Sequence, residues 1–311
     1  MTVSAVKFLQ PAEIQGLPTD DTPLLVLAHA GQIFKDRAAR LDYLSSLNGQ
    51  SAWLKFCSQL AQAQSECLSS VQSTIVSEDL IQKSFTHNIP PLSITSWVPG
   101  SDLDIAFGAL CLALDNQDLP APVLEILGRL RILNTAQLVQ QARDLIDANE
   151  AKVAPEFAPF IGAALQVMWT KNTEQLKPFL TLHKGESALC PVCGSHPVAS
   201  VVRTGDVDGH RYLVCSLCAT EWYGPRARCT NCDSPKEVSL FGETRESFVQ
   251  GECCDDCHGY LKIMVQSKEP TMEVMADDLA SLKLDLALAA EGFQRTGRNL
   301  FFVTGESQSK D

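Results

Sequence analysis

From about residue 20 to residue 185, apolar residues recur at intervals of three and four, the spacing of helices that each bury one stripe. Leu25, Ile33, Ala38, Leu41 and Leu44 share one such stripe, in a segment that ends near Asn48-Gly49. A second helix is expected from Ser51 to Val71, with further ones over 75–85, 101–114, 121–133, 135–149 and 156–178. Ser101 is the expected cap of its helix, with Asp102 and Asp104 in the first turn, where carboxylates meet the positive end of the helix dipole. The helical spacing stops at His183-Lys184-Gly185. Short β-rich pieces take over, VASVV at 198–202 and HRYLV at 210–214, with a hairpin turn signal at Asp208-Gly209. After Pro270 the spacing returns: Met272, Met275, Leu279, Leu282, Leu286, Ala289 and Phe293 predict one helix with Gly292 near its end. The closing GESQSKD reads as a frayed tail.

This pattern predicts an α+β multidomain chain. An all-α domain over 1–185 precedes a β-rich, cysteine-bearing module over 186–266, and a C-terminal helix and tail occupy 267–311. At 311 residues with 45% hydrophobic content, the chain can build a large core without help from a metal. The longest apolar runs, PLLVLAHA and AFGALCLAL, are too short to span a bilayer. The opening MTVSAVKFLQPAEIQ carries no basic stretch followed by an apolar one, so a soluble, unexported, cytoplasmic protein is expected.

Cysteine placement changes the picture most. Of 12 cysteines, nine fall between 190 and 257, and eight of these form CPVC (190–193), CSLC (215–218), CTNC (229–232) and CDDC (254–257). The pairs 190/229, 193/232, 215/254 and 218/257 all share an offset of 39, so one unit, 190–218, is repeated as 229–257. Ser195 maps onto Ser234 and Ser200-Val201-Val202 onto Ser239-Leu240-Phe241 under the same shift. Two residues between cysteines let one tight turn aim both sulfurs at an ion, and a hairpin brings up a second turn to close a tetrahedron. In a reducing compartment this reads as metal ligation rather than disulfide.

Sequential pairing gives Cys190, Cys193, Cys215 and Cys218 for one site and Cys229, Cys232, Cys254 and Cys257 for the other, while a cross-braced pairing of alternate turns stays open on spacing alone. Iron and zinc both suit four thiolates. Cys253 has no counterpart in the first unit, where Val214 stands, and reads as a spare ligand, a reactive thiol or, as the favoured reading, a small strand residue. His196, His210 and His258 lie near complete four-thiolate sets and are expected outside them, and Cys57, Cys67 and Cys111 read as small buried residues on helices.

Charge removes one function class. With 25 Lys+Arg against 37 Asp+Glu the net charge is -12, which repels a phosphate backbone, so a zinc-ribbon nucleic-acid binder is disfavoured. No Gly-rich phosphate loop, HExxH or GxSxG is present, and no enzymatic role is expected.

The strings RYLVCSLCATEW (211–222), CTNC (229–232), CHGYLKI (257–263) and ADDLASLKLD (276–285), in this order, resemble the bacterial formate dehydrogenase accessory protein FdhE family. The resemblance covers the cysteine segment and the helix after it. It implies an α-helical domain joined to a duplicated rubredoxin-like, zinc-ribbon-like module. It also implies a cytoplasmic maturation factor or chaperone needed for active respiratory formate dehydrogenase, with the catalytic subunit before export as partner. It favours iron on the eight paired cysteines, with zinc fitting the same ligands. A rubredoxin-like electron carrier is the alternative, though two sites and a large helical domain exceed what a carrier needs.

Three further expectations concern the surroundings of the second unit. Gly259 is expected to supply the positive φ that the turn exit needs, and Tyr260 to pack over the sulfurs with its hydroxyl in water. Asp277, Asp278 and Asp285 are expected on a solvated acidic face, which a basic twin-arginine export signal would fit.

Overall fold

The computed structural model describes residues 6–8, 22–47, 51–184, 186–205, 209–224, 228–234 and 238–303. Its helices follow the apolar stripes closely: α1 (Ala30–Leu47), α2 (Ser51–Cys67), α3 (Glu78–Thr86), α4 (Ser101–Leu114), α5 (Ala121–Arg131), α6 (Thr135–Ile146) and α7 (Ala158–Thr173). Two of the expected spans run on into 3-10 helix, at Leu68–Ser70 after α2 and at Glu174–Leu182 after α7, while those over 121–133 and 135–149 end early, at Arg131 and Ile146. Ser101 is the first helical residue and not the cap: Gly100 caps α4, and Asp102 Oδ1 accepts from the Gly100 and Leu103 N–H groups at 3.0 Å each. Asn48, Gly49, Gly185, Asp208 and the GESQSKD tail lie outside the described residues.

Buried on almost every side, α7 runs through the middle of the helical layer, and its Phe160, Ile161, Ala164, Leu165 and Met168 form the centre of the main core. That core does not stop at the helices. It continues through Leu213, Leu217, Trp222 and the first four paired cysteines.

Among the described residues the strands form one nine-stranded sheet. Two short strands precede the helices, β1 (Val6–Phe8) and β2 (Leu25–Val26). The first cysteine unit contributes β3 (Pro197–Val202), β4 (Arg211–Cys215) and β5 (Glu221–Tyr223), and the second contributes β6 (Val238–Gly242), β7 (Val249–Cys254) and β8 (Gly259–Val265). Each unit is an antiparallel meander. They join head to tail, because β8 lies parallel to β3 with Ser200 opposite Ile263 and Val202 opposite Val265.

Head-to-tail joining leaves two outer edges, β6 and β5, with unpaired backbone groups. The N-terminal segments cover both: β1 adds to β6 and β2 to β5, antiparallel in each case. β1 lies outside the expected elements, and Leu25, expected on the stripe of the first helix, belongs to β2 instead, because a two- or three-residue edge strand has no period to detect.

The predicted C-terminal helix is two helices, α8 (Val274–Ala280) and α9 (Leu282–Ala290), broken at Ser281. β9 (Gln294–Arg295) then pairs with the free half of β8. Their acidic face is not solvated. Asp277 and Asp278 are 1% and 0% exposed, and Arg40 of α1 binds Asp277 at 2.8 Å. Asp278 receives Arg295 at 2.6 Å and Lys262 at 3.1 Å, while Asp285 receives Lys262 at 2.6 Å and the Tyr260 hydroxyl at 2.7 Å. The charges that looked like a docking face hold α8 and α9 onto α1 and the sheet.

Candidate metal centre

Both cysteine units build the same local frame from backbone hydrogen bonds. In the first, Cys190 N–H donates to Ser195 O at 2.9 Å and Gly194 N–H to Cys190 O at 2.7 Å. In the second, Cys229 N–H donates to Ser234 O at 3.1 Å and Asp233 N–H to Cys229 O at 3.0 Å. The residue after the second cysteine of every CxxC turn is left-handed: Gly194 (φ 80°), Ala219 (φ 55°), Asp233 (φ 60°) and His258 (φ 51°). The chain must reverse there to keep both sulfurs pointing inward, and the offset of 39 carries Gly194 onto Asp233 and Ala219 onto His258.

That pattern corrects the expectation for Gly259. The positive φ belongs to His258, and Gly259 is required for a different reason. A Cβ there would meet Thr296 Cγ2 at 2.8 Å and Cys257 Sγ at 3.1 Å.

The sulfurs gather in the sequential pairing: Cys190, Cys193, Cys215 and Cys218 in one group, Cys229, Cys232, Cys254 and Cys257 in the other, each with its four Sγ atoms within 4.8 Å of one another. The alternate-turn pairing is excluded by this geometry. Sγ–Sγ distances are 3.6 Å for Cys190/Cys218 and 3.4 Å for Cys193/Cys215, and 3.7 Å for Cys229/Cys257 and 3.8 Å for Cys232/Cys254. Four sulfurs about 2.3 Å from a central ion stand about 3.8 Å apart, so these cages fit a tetrahedral metal.

Backbone donors aim at the cages as they would at thiolates. Leu217 and Cys218 N–H groups point at Cys215 Sγ at 3.4 Å, Asn231 N–H at Cys229 Sγ and Gly259 N–H at Cys257 Sγ, also at 3.4 Å. Burial pushes the Cys190 and Cys193 thiols well up. Cys218 goes the other way: burial opposes its ionisation too, but its hydrogen bonds with the other three cysteines and with Thr220 bring it well below the usual thiol range. Slight burial raises Cys257, and Asn231 Nδ2 and the Gly259 N–H outweigh it, bringing that thiol down to about 7. Four buried sulfurs without a cation must keep most of their protons, and a metal ion resolves that conflict.

The two cages differ in their surroundings. All four sulfurs of the first belong to cysteines 0% exposed. The backbone N–H groups of Leu92 and Ile94 donate to Val192 O and Cys193 O, and Gln166 Nε2 reaches from α7 to Ser216 O at 2.8 Å. In the second, Cys232 is exposed and Cys257 half-buried, and among the described residues the local apolar cluster is Cys229, Val238 and Cys254 with Cys257 at its rim.

Other singled-out residues stand apart from the cages. Cys253 is fully buried among Phe241, Tyr260, Leu284 and Leu288, where it packs as a small apolar side chain under α9. Tyr260 is 3% exposed and its hydroxyl binds Asp285, so the expected wet hydroxyl is corrected. His196, His210 and His258 belong to neither sulfur group, and Cys57, Cys67 and Cys111 lie in the helical core. The sequence reading missed the turn-exit role of Gly194, Ala219, Asp233 and His258, whose position one place after each turn's last cysteine was the available signal.

With the geometry in place, known proteins give a consistent answer. The family descriptions "FdhE, N-terminal", "FdhE, central domain" and "FdhE, C-terminal domain" match residues 22–182, 189–226 and 227–302. The chain belongs to the FdhE family. Similarity to "Protein FdhE homolog" of Yersinia enterocolitica runs at 33% identity over 94% of this chain and 95% of that protein. "Protein FdhE" of Salmonella arizonae is 34% identical over 93% and 94% of the two chains. The FdhE protein from Pseudomonas aeruginosa, solved as a crystal structure, superposes with a TM-score of 0.81 at 29% identity, covering 90% of this chain and 99% of that one. FdhE similarity thus reaches the helical segment, which the short strings alone did not include. Among the described residues no helix is long and apolar enough to cross a membrane.

Proposed function

We propose that this FdhE-family protein is a cytoplasmic accessory factor required for active formate dehydrogenase, binding the enzyme's catalytic subunit before export and performing no catalysis of its own. The observation that carries this reading is the pairing of FdhE similarity along almost the whole chain with two intact four-sulfur cages. The ligands are Cys190, Cys193, Cys215 and Cys218 in one site and Cys229, Cys232, Cys254 and Cys257 in the other. Iron is the favoured ion, by family resemblance, and would add one-electron redox chemistry to what is otherwise a rigid cross-link. The chain's own residues hold the ion by four thiolates and steady those thiolates with N–H donors.

Two measurements test the reading. A tagged chain isolated anaerobically from its host is expected to carry along the catalytic subunit of a formate dehydrogenase, and repeated recovery without it would sink the partner assignment. A deletion strain is expected to make the enzyme's subunits yet lack formate-dependent activity, with electron donors and acceptors intact. Normal activity in that strain would remove the accessory role.

A further inference from the structure

The internal repeat allows each site to serve as the other's control. At matched positions the residues between cysteines differ: Val192 becomes Asn231, Ser216 becomes Asp255 and Leu217 becomes Asp256. The first set is buried, with Val192 0%, Ser216 0% and Leu217 1% exposed. Asn231, Asp255 and Asp256 of the second set are exposed. Thus the tips of the first unit's turns point into the helical core, and the same tips of the second unit face water.

From this difference we propose that the two sites have unequal work: the first is a fixed element of the fold, and the second is an open site that exchanges its ion at the surface through Cys232. The proposal rests on the metal-binding reading above and goes beyond it by assigning exchange to one site. To reach an ion in the first cage, a competing ligand must part the 92–94 strap from Val192 and Cys193, or lift Gln166 off Ser216. Both steps open the main core. In the second cage Cys232 is already exposed, and its neighbours Asn231 and Asp233 are exposed too. An incoming nitrogen or carboxylate donor replaces Cys232 first, then Cys257, each released thiolate taking a proton from water, with no change of oxidation state. Arg228 pairs with Asp233 at 3.0 Å, while Asp255 and Asp256 stand exposed between Cys254 and Cys257, where their negative charge lowers the cost of an approaching divalent cation.

The test loads the reduced full chain with zinc alone under anaerobic conditions, then adds a chromogenic chelator in excess and follows release. Expected is one ion per chain in a fast phase and the second at least ~100-fold slower, at the rate of global unfolding measured in parallel. The Cys232→Ser chain is expected to bind one ion firmly, with no fast phase and an almost unchanged melting temperature. The Asp255→Ser/Asp256→Leu chain, which copies the first unit's tip, is expected to fold and to lengthen the fast phase. Release of both ions in one phase, fast or slow, overturns the proposal, as does loss of the slow ion in Cys232→Ser. Loading of fewer than two ions in the unaltered chain fails earlier, and counts against the two-site reading itself.

Discussion

At the residue scale, the turn exits carry a cost that substitution can expose. Ala219 holds φ 55°, where a Cβ crowds the following carbonyl and glycine does not. Ala219→Gly is therefore expected to stabilise the chain by about 0.5–1 kcal/mol, less what the more flexible unfolded chain takes back, as a higher urea midpoint. Gly259→Ala is expected to act in the opposite direction. The added methyl would press on Thr296 and on Cys257 Sγ, costing about 1–3 kcal/mol and weakening metal retention in the second site without touching a ligand. Equal retention of both ions in that variant would contradict the close packing described.

Asp278 carries the clearest acid dependence. Burial alone would raise its carboxyl, but Arg295 and Lys262 outweigh burial and hold it down at about 2, against 3.8 unperturbed. A depressed carboxyl stabilises the fold fully above its unfolded pKa and loses that contribution as pH falls through the folded one, here about 2 kcal/mol over the window from about 4 to 2. Asp277 opposes it, since burial pushes that carboxyl up. The gap in unfolding free energy between the native chain and Asp278→Asn is expected to narrow across that window. A constant gap would mean that the carboxylate's charge is not what holds Arg295 and Lys262.

At the element scale, α1 and α8 are joined by charge as much as by apolar contact. Arg37 binds Glu273 at 3.2 Å and Gln166 at 3.1 Å, and Arg40 binds Asp277 at 2.8 Å, all nearly out of water. Removing one partner leaves the other buried and unpaired, which costs far more than removing both. Arg40→Ala is expected to cost about 3–5 kcal/mol, and Arg40→Leu/Asp277→Leu to recover much of that loss. A double variant as unstable as the single one would show that packing, not the unpaired charge, is responsible.

The same pairs explain what the sequence could and could not reveal. The spans of α1 to α7 were legible because each buries a stripe with a helical period. The four-sulfur sets were legible because the ligand spacing is local and occurs twice. Asp277 and Asp278 looked solvated because their partners, Arg40, Lys262 and Arg295, lie on α1, β8 and β9, and no local pattern links them. The edge strands β1 and β2 were hidden for the same reason: what places them is an unpaired edge that exists only after the repeat has folded. The inequality of the two sites was present in the sequence, in CPVC and CSLC against CTNC and CDDC, because apolar tips must be buried and acidic tips need not be.

At the scale of the whole molecule, the C-terminal segment closes the structure over the helices. Arg298 donates to the Leu145 and Ile146 carbonyls at the end of α6, Asn299 Nδ2 reaches Asp278 at 2.9 Å, and Leu300 and Phe301 are each 2% exposed. Gly162 of α7 makes the crossing close: a Cβ there would meet Leu300 O at 2.7 Å and Leu300 Cβ at 2.8 Å. Since backbone cannot step aside as a flexible side chain can, Gly162→Ala is expected to push the segment off α7 at a cost of about 1–3 kcal/mol. Because this segment also binds α6 and Asp278, the damage should spread. Amide exchange at Phe301 and Phe302 is expected to accelerate, with smaller increases along α8, while α3, which packs on the 3-10 helix Glu174–Leu182, stays protected. Acceleration confined to residue 162 and its helix would mean that the segment is an appendage; acceleration running from Phe301 into α8 would mean that it locks the sheet and the helical layer together.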